Sequence, residues 1–526
     1  MQLLVRFLNF LNVVLGKISA PLYSYFAKLP RKPLPALNEP GILNSSATTL
    51  AEKIRTKELT SEQVVKAFIE RCQQVNGQLN AIIEDRFEAA LEDARNVDRL
   101  IRSNEKPIEQ LAKEKPLLGV PVTFKECLMV KGLSYTAGAQ LRKGVKATED
   151  GDAVAALRNA GAIPIAVTNL PELCCSYETR SDIIGYTNNP YDPNLTSGGS
   201  SGGEGALVSA AGSVIGIGSD FGGSIRVPSF YCGLFGHRPT SGIVSLTGHF
   251  PNSPDETFQK TNSIGPFCRY AEDLKLALAA MAGVKEVASL NLDQKVNLSE
   301  LRIYYMLDRG FKLSEISVDP DIKKVILKAV KHLRSTHECF VQKINIAEMD
   351  DALEMIMTKA TQMKDVDSVL VLKDPKNESS LLSELLKLFI NKASYSMELL
   401  MMRFNAKACF FWIPENKRPE YLSAANNLAN RLKELLKEDG VLFYPTFASL
   451  AFYKQQSLWK MTSMAYPMIV NILGFPATHV PMGLNANGIP VGFQVIAAPN
   501  QDRLCFAVAE ELQKAFGGWV PPPMSS

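Results

Sequence analysis

Short runs such as Val214 to Ile217 and Val441 to Tyr444, apolar throughout and bounded by Gly, Pro or Ser, constrain the fold more than any other feature. A strand with one face in water alternates apolar and polar residues, so a strand apolar at every position is covered on both faces. Further β-rich runs lie at Val120 to Phe124, Ile163 to Val167 and Val491 to Ile496. Stretches with helical periodicity separate them, among them Ile322 to Leu333 and Tyr421 to Leu436. A helix start is marked where Thr60 and Gln63 have capping-box spacing and Val65, Phe68, Ile69 and Cys72 follow at i, i+3, i+4 and i+7. This alternation predicts an α/β fold. No internal repeat appears, and no composition break divides residues 45–518.

The chain has 526 residues, 46% of them hydrophobic and 21% charged, which excludes disorder and fibres and is enough for one large or several smaller cores. A formal net charge of +3, with no basic block, argues against a nucleic-acid partner. Nine scattered Cys, without a CxxC pair or zinc-ligand spacing with His, predict neither a metal site nor a disulfide framework. Asn44, Asn194, Asn297 and Asn377 head glycosylation triplets, which matter only in a lumenal protein.

Residues 1–29 are apolar but interrupted by Arg6, Asn9, Asn12 and Lys17. The ten residues between Arg6 and Lys17 make about 15 Å of helix, against roughly 30 Å of hydrocarbon. With Lys17 snorkelling, Phe7 to Ala27 forms a marginal span; otherwise the segment lies in the membrane interface or is a signal peptide cleaved after Ala20. A Pro-rich linker at 30–44 would then lead to the folded body at 45–518, with a Pro-rich tail at 519–526.

The densest anomaly is TSGGSSGGEG at Thr196 to Gly205, followed by GIGSDFGGSIRVPS at Gly216 to Ser229. Glycine at this density keeps backbone N–H groups accessible and lets a ligand come close. A Walker loop fails because Glu204, not Lys, follows Gly203; the dinucleotide fingerprint fails because no GxGxxG frame closes around Gly216 and Gly218. Gly198, Ser200 and Gly202 do satisfy GxSxG, which would make Ser200 a nucleophile needing a histidine base. His237, His249, His332, His337 and His479 are candidates by order alone, with His479 in a strand and better read as packed. The remaining option is a serine hydrolase with a lysine base. Lys125 follows directly on the strand-like GVPVTF, and strand ends are where α/β sheets place their sites. A lysine base must be neutral, which burial and neighbouring donors would have to achieve against a reference pKa of about 10.4.

Lys125 in GVPVTFKE, GGSSGG at Gly198 to Gly203 and GSDFGGSIRVPS at Gly218 to Ser229 together resemble the amidase signature family. GPFCRYAEDL at Gly265 to Leu274, GFPATHVPMG from Gly474 and IPVGFQVIA to Ala497 extend the likeness over nearly the whole chain. The apolar N-terminus, SSGGEGA, FGHRPTSG and AFGGWV resemble the family's fatty-acid amide hydrolases in particular.

The resemblance implies a single large α/β/α sandwich around a mixed central β-sheet and a Ser-Ser-Lys triad, with Ser224 as nucleophile, Ser200 as relay and Lys125 as base. It implies a cis peptide at Ser200 and an oxyanion hole from the backbone N–H groups of Phe221, Gly222, Gly223 and Ser224. Asp220 and Arg226 bracket Ser224 and suit an ion pair that fixes the loop. Ser201 would supply a supporting hydrogen bond, and Cys174, Cys175 and Tyr177 fall where these enzymes bind substrate. The implied activity is hydrolysis of fatty-acid amides without metal or organic cofactor; the alternatives are an amidase for small soluble amides and a transamidation subunit. Implied partners are a lipid amide, a membrane surface held through the N-terminus (endoplasmic reticulum or lipid droplet) and a second copy in a homodimer. Leu381 to Ile413, rich in Leu, Met and aromatics including Phe389, Phe410, Phe411 and Trp412, is either buried core or an acyl channel with a membrane-facing lip.

Overall fold

The computed structural model describes residues 2–525 apart from 311, 364–379, 389 and 391. Asn377 and Phe389 therefore lie outside the described residues, as do the side chains of Phe410, Phe411 and Trp412. The strands are β1 (Ile82–Asp85), β2 (Pro121–Lys125), β3 (Ile163–Thr168), β4 (Arg180–Ser181), β5 (Gly185–Tyr186), β6 (Ile215–Ser219), β7 (Phe235–Arg238), β8 (Ile264–Cys268), β9 (Arg302–Tyr305), β10 (Phe340–Lys343), β11 (Gly440–Tyr444), β12 (Ala477–Leu484) and β13 (Pro490–Ala497). Eleven of them form one sheet in the order β1-β3-β2-β6-β8-β7-β12-β13-β11-β9-β10, while β4 and β5 pair separately.

The sheet is mixed, as expected. β3, β2 and β6 run parallel, β11, β9 and β10 run parallel, and the strands between them pair antiparallel. Both faces are covered: every residue of β2, β3, β6, β11 and β13 is buried. The edge strands β1 and β10 are partly exposed and carry Glu84, Asp85 and Lys343, charges that discourage further pairing. The largest apolar core draws on residues from Leu43 to Leu512. The helix Ser61–Leu79 starts as its sequence signal requires, with Thr60 Oγ1 accepting from Gln63 N (3.1 Å) and Gln63 Oε1 from Thr60 N (2.9 Å).

The N-terminal segment forms one helix, Gln2–Phe26. Among the described residues no helix is long and apolar enough to cross a membrane, so the marginal span from Phe7 to Ala27 gains no support. The helix lies against residues 457–464. Asn12 Nδ2 donates to Leu458 O (3.2 Å), Trp459 Nε1 to Tyr23 Oη (3.1 Å), and a Cβ on Gly16 would come within 2.9 Å of Trp459 Cβ. Its opposite side exposes Phe7, Leu11, Leu15, Ile18, Leu22 and Tyr25, spaced by three and four residues.

The Pro-rich stretch after the helix differs from the free linker expected. Leu34 N donates to Pro523 O (2.8 Å) and Ser525 N to Leu34 O (2.7 Å), so the stretch pairs with the C-terminal tail. Arg31 pairs with Asp192 (2.6 Å), and Leu29 and Asn194 exchange two hydrogen bonds of 2.9 Å. Proline lacks a donor but leaves its carbonyl available, and Pro523 and Pro35 use theirs, the latter accepting from Arg71 Nη1 (2.7 Å).

Candidate active site

β2 and β6 are parallel neighbours, so their carboxyl ends open on the same edge of the sheet. β2 ends at Lys125 and β6 at Ser219. Lys125 Nζ lies 2.7 Å from Ser200 Oγ and 3.0 Å from Ser219 Oγ, and all three residues are buried. Among the described residues no carboxylate forms an ion pair with Lys125. Glu204, on the helix Gly202–Ser209 packed against the sheet, accepts from Thr123 Oγ1 (2.6 Å) and Thr168 Oγ1 (2.7 Å). Burial pushes the Glu204 pKa up to about 8, so at neutral pH it is mostly uncharged.

Ser200 sits in the turn before the helix Gly202–Ser209, and the Gly199–Ser200 peptide is cis, as the resemblance implied. The surrounding glycines differ in purpose from the ligand approach expected of them. A Cβ on Gly199 would stand 2.4 Å from Ser176 O, and one on Gly203 2.5 Å from Asn169 O. They let backbone pack on backbone and so fix where Ser200 sits.

Ser224 occupies the second glycine turn, before the helix Arg226–Tyr231, and is 8% exposed. Gly223 there has φ +107, and a Cβ would meet Pro467 Cβ at 2.5 Å, so only glycine fits. Asp220 and Arg226 form the expected ion pair (3.0 Å), fully buried. Asp220 Oδ1 also accepts from Gly223 N (2.7 Å) and Asn471 Nδ2 (2.9 Å), and Oδ2 from Ile225 N (3.1 Å). Burial opposes ionisation of Asp220, but the Arg226 guanidinium together with Arg238 and the Asn471 hydrogen bond outweighs it and holds the carboxyl well below the usual range. Because the Gly223 N–H is engaged with Asp220, it is not among the free donors of the turn. Among the described residues no protein acceptor takes the N–H of Phe221, Gly222 or Ser224.

Ser200, Ser219 and Ser224 line a cavity of about 90 Å³ together with Leu173, Cys174, Cys175, Phe221, Phe258, Met363 and Met402. Cys174 and Cys175 thus stand on its wall, delivered by a backbone in which Leu173 (φ +49) and Cys174 (φ +63) are both left-handed. Tyr177 and Ser201 act on the loops instead. Tyr177 Oη donates to Gly222 O (2.8 Å), while Ser201, fully buried, donates its Oγ to Ser219 O (3.3 Å) and its N–H to Ser224 O (3.2 Å). Ser201 therefore supports the site rather than facing the cavity.

None of the five histidines hydrogen-bonds Ser200, Ser219 or Ser224. His479 is buried in β12, with Nδ1 2.7 Å from Thr446 Oγ1 and burial depressing its pKa well below the usual value. His237 bonds Thr478 and Asp502 (2.8 and 3.0 Å), and His332 and His337 both meet Glu511. His249 reaches the cavity wall, but its Nδ1 bonds Pro251 O (2.7 Å) and it has no hydrogen bond to Ser200 or Ser224.

Sequence reasoning did not foresee Ser219, Met363 or Met402 at the site, and offered His249 only as one of five histidines by order. Ser219 alone had a signal, as the serine of GSDFGG. A larger cavity of about 960 Å³ lies between the N-terminal helix, residues 350–357 and residues 457–464, lined by Phe10, Leu353, Met357, Met401, Ile413 and Trp459 among others. Met401 on this wall and Met402 on the smaller one are adjacent in the helix Met397–Trp412. Leu399 and Leu400 are core, whereas Leu382, Leu386 and Ile390 are exposed, so the apolar segment is divided between packing and surface.

The family model described as Amidase matches residues 63–506. Fatty-acid amide hydrolase 2 of Homo sapiens is 37% identical over 528 residues, covering 99% of this chain and 97% of that protein. Fatty-acid amide hydrolase 2-A of Danio rerio is 37% identical over 536 residues, covering 99% and 98%. Among solved structures, one of fatty acid amide hydrolase superposes with a TM-score of 0.74 at 22% identity, covering 92% of this chain and 87% of that one, a likeness of fold.

Proposed function

The chain belongs to the amidase signature family and is an amide hydrolase, and from that premise we propose that it cleaves fatty-acid amides, both primary amides and N-acylethanolamines, to free fatty acid and amine through an acyl-enzyme on Ser224. The observation that carries the reading is Lys125 Nζ at 2.7 Å from Ser200 Oγ, on a cavity that Ser200 shares with Ser224. Neutral Lys125 takes the Ser200 hydroxyl proton as Ser200 takes that of Ser224, whose oxygen attacks the amide carbonyl. The oxyanion meets the N–H groups of Phe221, Gly222 and Ser224, with Gly223 joining only if its bond to Asp220 is shared. The proton then returns from Lys125 through Ser200 to the amide nitrogen, because an amine leaves only once protonated. Water, deprotonated by the same relay, releases the fatty acid.

The substrate class is supported by the apolar wall of Leu173, Phe221, Phe258, Met363 and Met402. Among the described residues, no Lys, Arg, Asp or Glu lines this cavity to pair with the carboxylate or ammonium of glutamine, the substrate a transamidation subunit would need. The larger cavity, near the top of the roughly 300–1,000 Å³ range of small-molecule sites, suits the far end of a long acyl chain. The exposed apolar stripe of the N-terminal helix, with Leu382 and Leu386, supports an interfacial rather than a spanning association with membrane.

The reading is tested by fluorophosphonate labelling of wild type, Ser224→Ala, Ser200→Ala, Lys125→Ala and His479→Ala, with oleamide and acetamide hydrolysis measured in parallel. The expected result is label that requires Ser224, and oleamide hydrolysis that survives loss of His479 but collapses without Lys125. Label on Ser200 with dependence on His479 would replace this reading by a histidine-based one. Acetamide turnover exceeding that of oleamide would move the substrate class to small soluble amides.

A further inference from the structure

Cys127, two residues beyond Lys125, Cys174 and His249 are far apart in sequence, yet their sulfurs and one ring nitrogen of His249 all lie within 4.8 Å of one another. His249 is 4% exposed and Cys127 fully buried. The tautomer of His249 is set by its neighbour: Nδ1 lies 2.7 Å from the Pro251 carbonyl, to which it can only donate. The ring's lone pair is therefore on Nε2, which is buried and has the Cys174 thiol as its side-chain neighbour. A backbone carbonyl holding one imidazole nitrogen while the other points toward a thiol is the arrangement seen behind metal-bound histidines. The amidase reaction proposed above uses none of these three groups.

We propose that Cys127, Cys174 and His249 form a site for a thiophilic divalent cation, zinc or its analogue cadmium, and that its occupation closes the cavity at Ser224. Zinc bonds of about 2.3 Å to sulfur at a tetrahedral angle place two sulfurs about 3.8 Å apart, so the cluster needs side-chain shifts of about an ångström or less. Two thiols lose their protons to solvent as the cation binds, giving two thiolates, one neutral imidazole and no net charge added to an apolar wall. Three protein ligands leave a fourth position open. Cys174 and His249 both stand on the wall shared with Ser200 and Ser224, so that position faces the space a substrate carbonyl would enter. Cys127 Sγ is 3.7 Å from Ser219 Oγ, which in turn bonds Lys125, so the cation would also sit beside the base. The inhibitory half rests on the amidase reading; the binding half does not.

The test uses the reduced, full-length chain in a His337→Gln background, which removes the His332, His337 and Glu511 cluster as a competing site. Cadmium is titrated while the ultraviolet thiolate-to-metal absorption is recorded, and zinc affinity is read by competition with a chromophoric chelator. The expected result is one equivalent bound with the charge-transfer band, affinity at least tenfold weaker in Cys174→Ser and in His249→Gln, and slower alkylation of Cys174 when zinc is present. Oleamide hydrolysis should fall with the same midpoint and return on chelation. No band on cadmium addition, or a band undiminished in both variants, overturns the site. So does a Cys127–Cys174 disulfide in air-oxidised protein whose reduced form takes up no cation. Stoichiometric binding with unchanged hydrolysis overturns the inhibitory half. If metal-free protein hydrolyses no amide, the proposed function fails while the absorption still decides the site.

Discussion

Lys125 and Ser219 illustrate how unevenly single residues can be read. Lys125 follows an alternating strand and emerges at its end, a pattern that suits a surface lysine as well, and only the resemblance carried by GVPVTFKE assigned it as the base. Ser219 is its partner only because β6 lies beside β2, and strand order is a property of the whole sheet that no local pattern encodes. His249 was a candidate only by its order in the chain, one of five: its place on the cavity depends on the turn through Pro251. Replacing Ser219 by Ala removes one of two hydroxyls around the Lys125 nitrogen. Loss of one buried partner, about 1.4 kcal/mol, should slow fluorophosphonate labelling of Ser224 about tenfold without abolishing it. Lys125→Ala, by contrast, should cost about 10²–10⁴ in kcat for an amide. The two variants separate if labelling rates and amide turnover are measured on the same preparations.

Among the elements, the turn from Asp220 to Arg226 depends on one carboxylate that accepts backbone N–H groups and pairs with Arg226. Asp220→Asn leaves Arg226 buried without its counter-charge, a loss of about 3–5 kcal/mol in unfolding free energy measured by denaturant titration. The helix Gln2–Phe26 makes a different prediction. Its inner side is fixed by Asn12, Gly16 and Tyr23, so its outer apolar stripe can be changed without disturbing the body. A Leu15→Ser, Ile18→Ser, Leu22→Ser chain should sediment with phospholipid vesicles far less than wild type, yet hydrolyse a short-chain soluble amide at the wild-type rate. The sequence pattern made this helix legible, but not its docking, because the partner residues 457–464 have no periodicity that announces a groove.

For the molecule as a whole, several acids are buried without a full counter-charge. Burial pushes Glu204 up to about 8, Glu172 and Glu178 each up to about 7, and Asp273 up to about 6. In the window from each group's unfolded value, near 4 to 4.5, up to its folded value, the folded chain keeps protons that the unfolded chain has released. Stability therefore falls as pH rises through that window and is fully reduced above about pH 8. Thermal unfolding between pH 5 and 9 should show the decline, and Glu204→Gln, which cannot ionise, should flatten its upper part by a few kcal/mol. The architecture itself was legible from the apolar strands at β2, β3, β6, β11 and β13. The short strands β1, β9 and β10, lying at or next to the sheet's two edges and incompletely buried, were not, because half-exposed runs of four residues resemble loops.

The pairing of Leu34 with Pro523 and Ser525 changes how the body hangs from whatever holds its first helix. A pull on that helix reaches the body through its contacts with residues 457–464 and through residues 27–36. There it meets, in series, the Leu29–Asn194 bonds, the Arg31–Asp192 pair and the two bonds of Leu34 to the tail. The Leu34 bonds lie in a parallel bridge, with the pulled end of the stretch and the anchored end of the tail on the same side, so tension opens them one after another. The stretch thus yields in steps, and the drag it carries is borne away from the strand ends that hold Lys125 and Ser219.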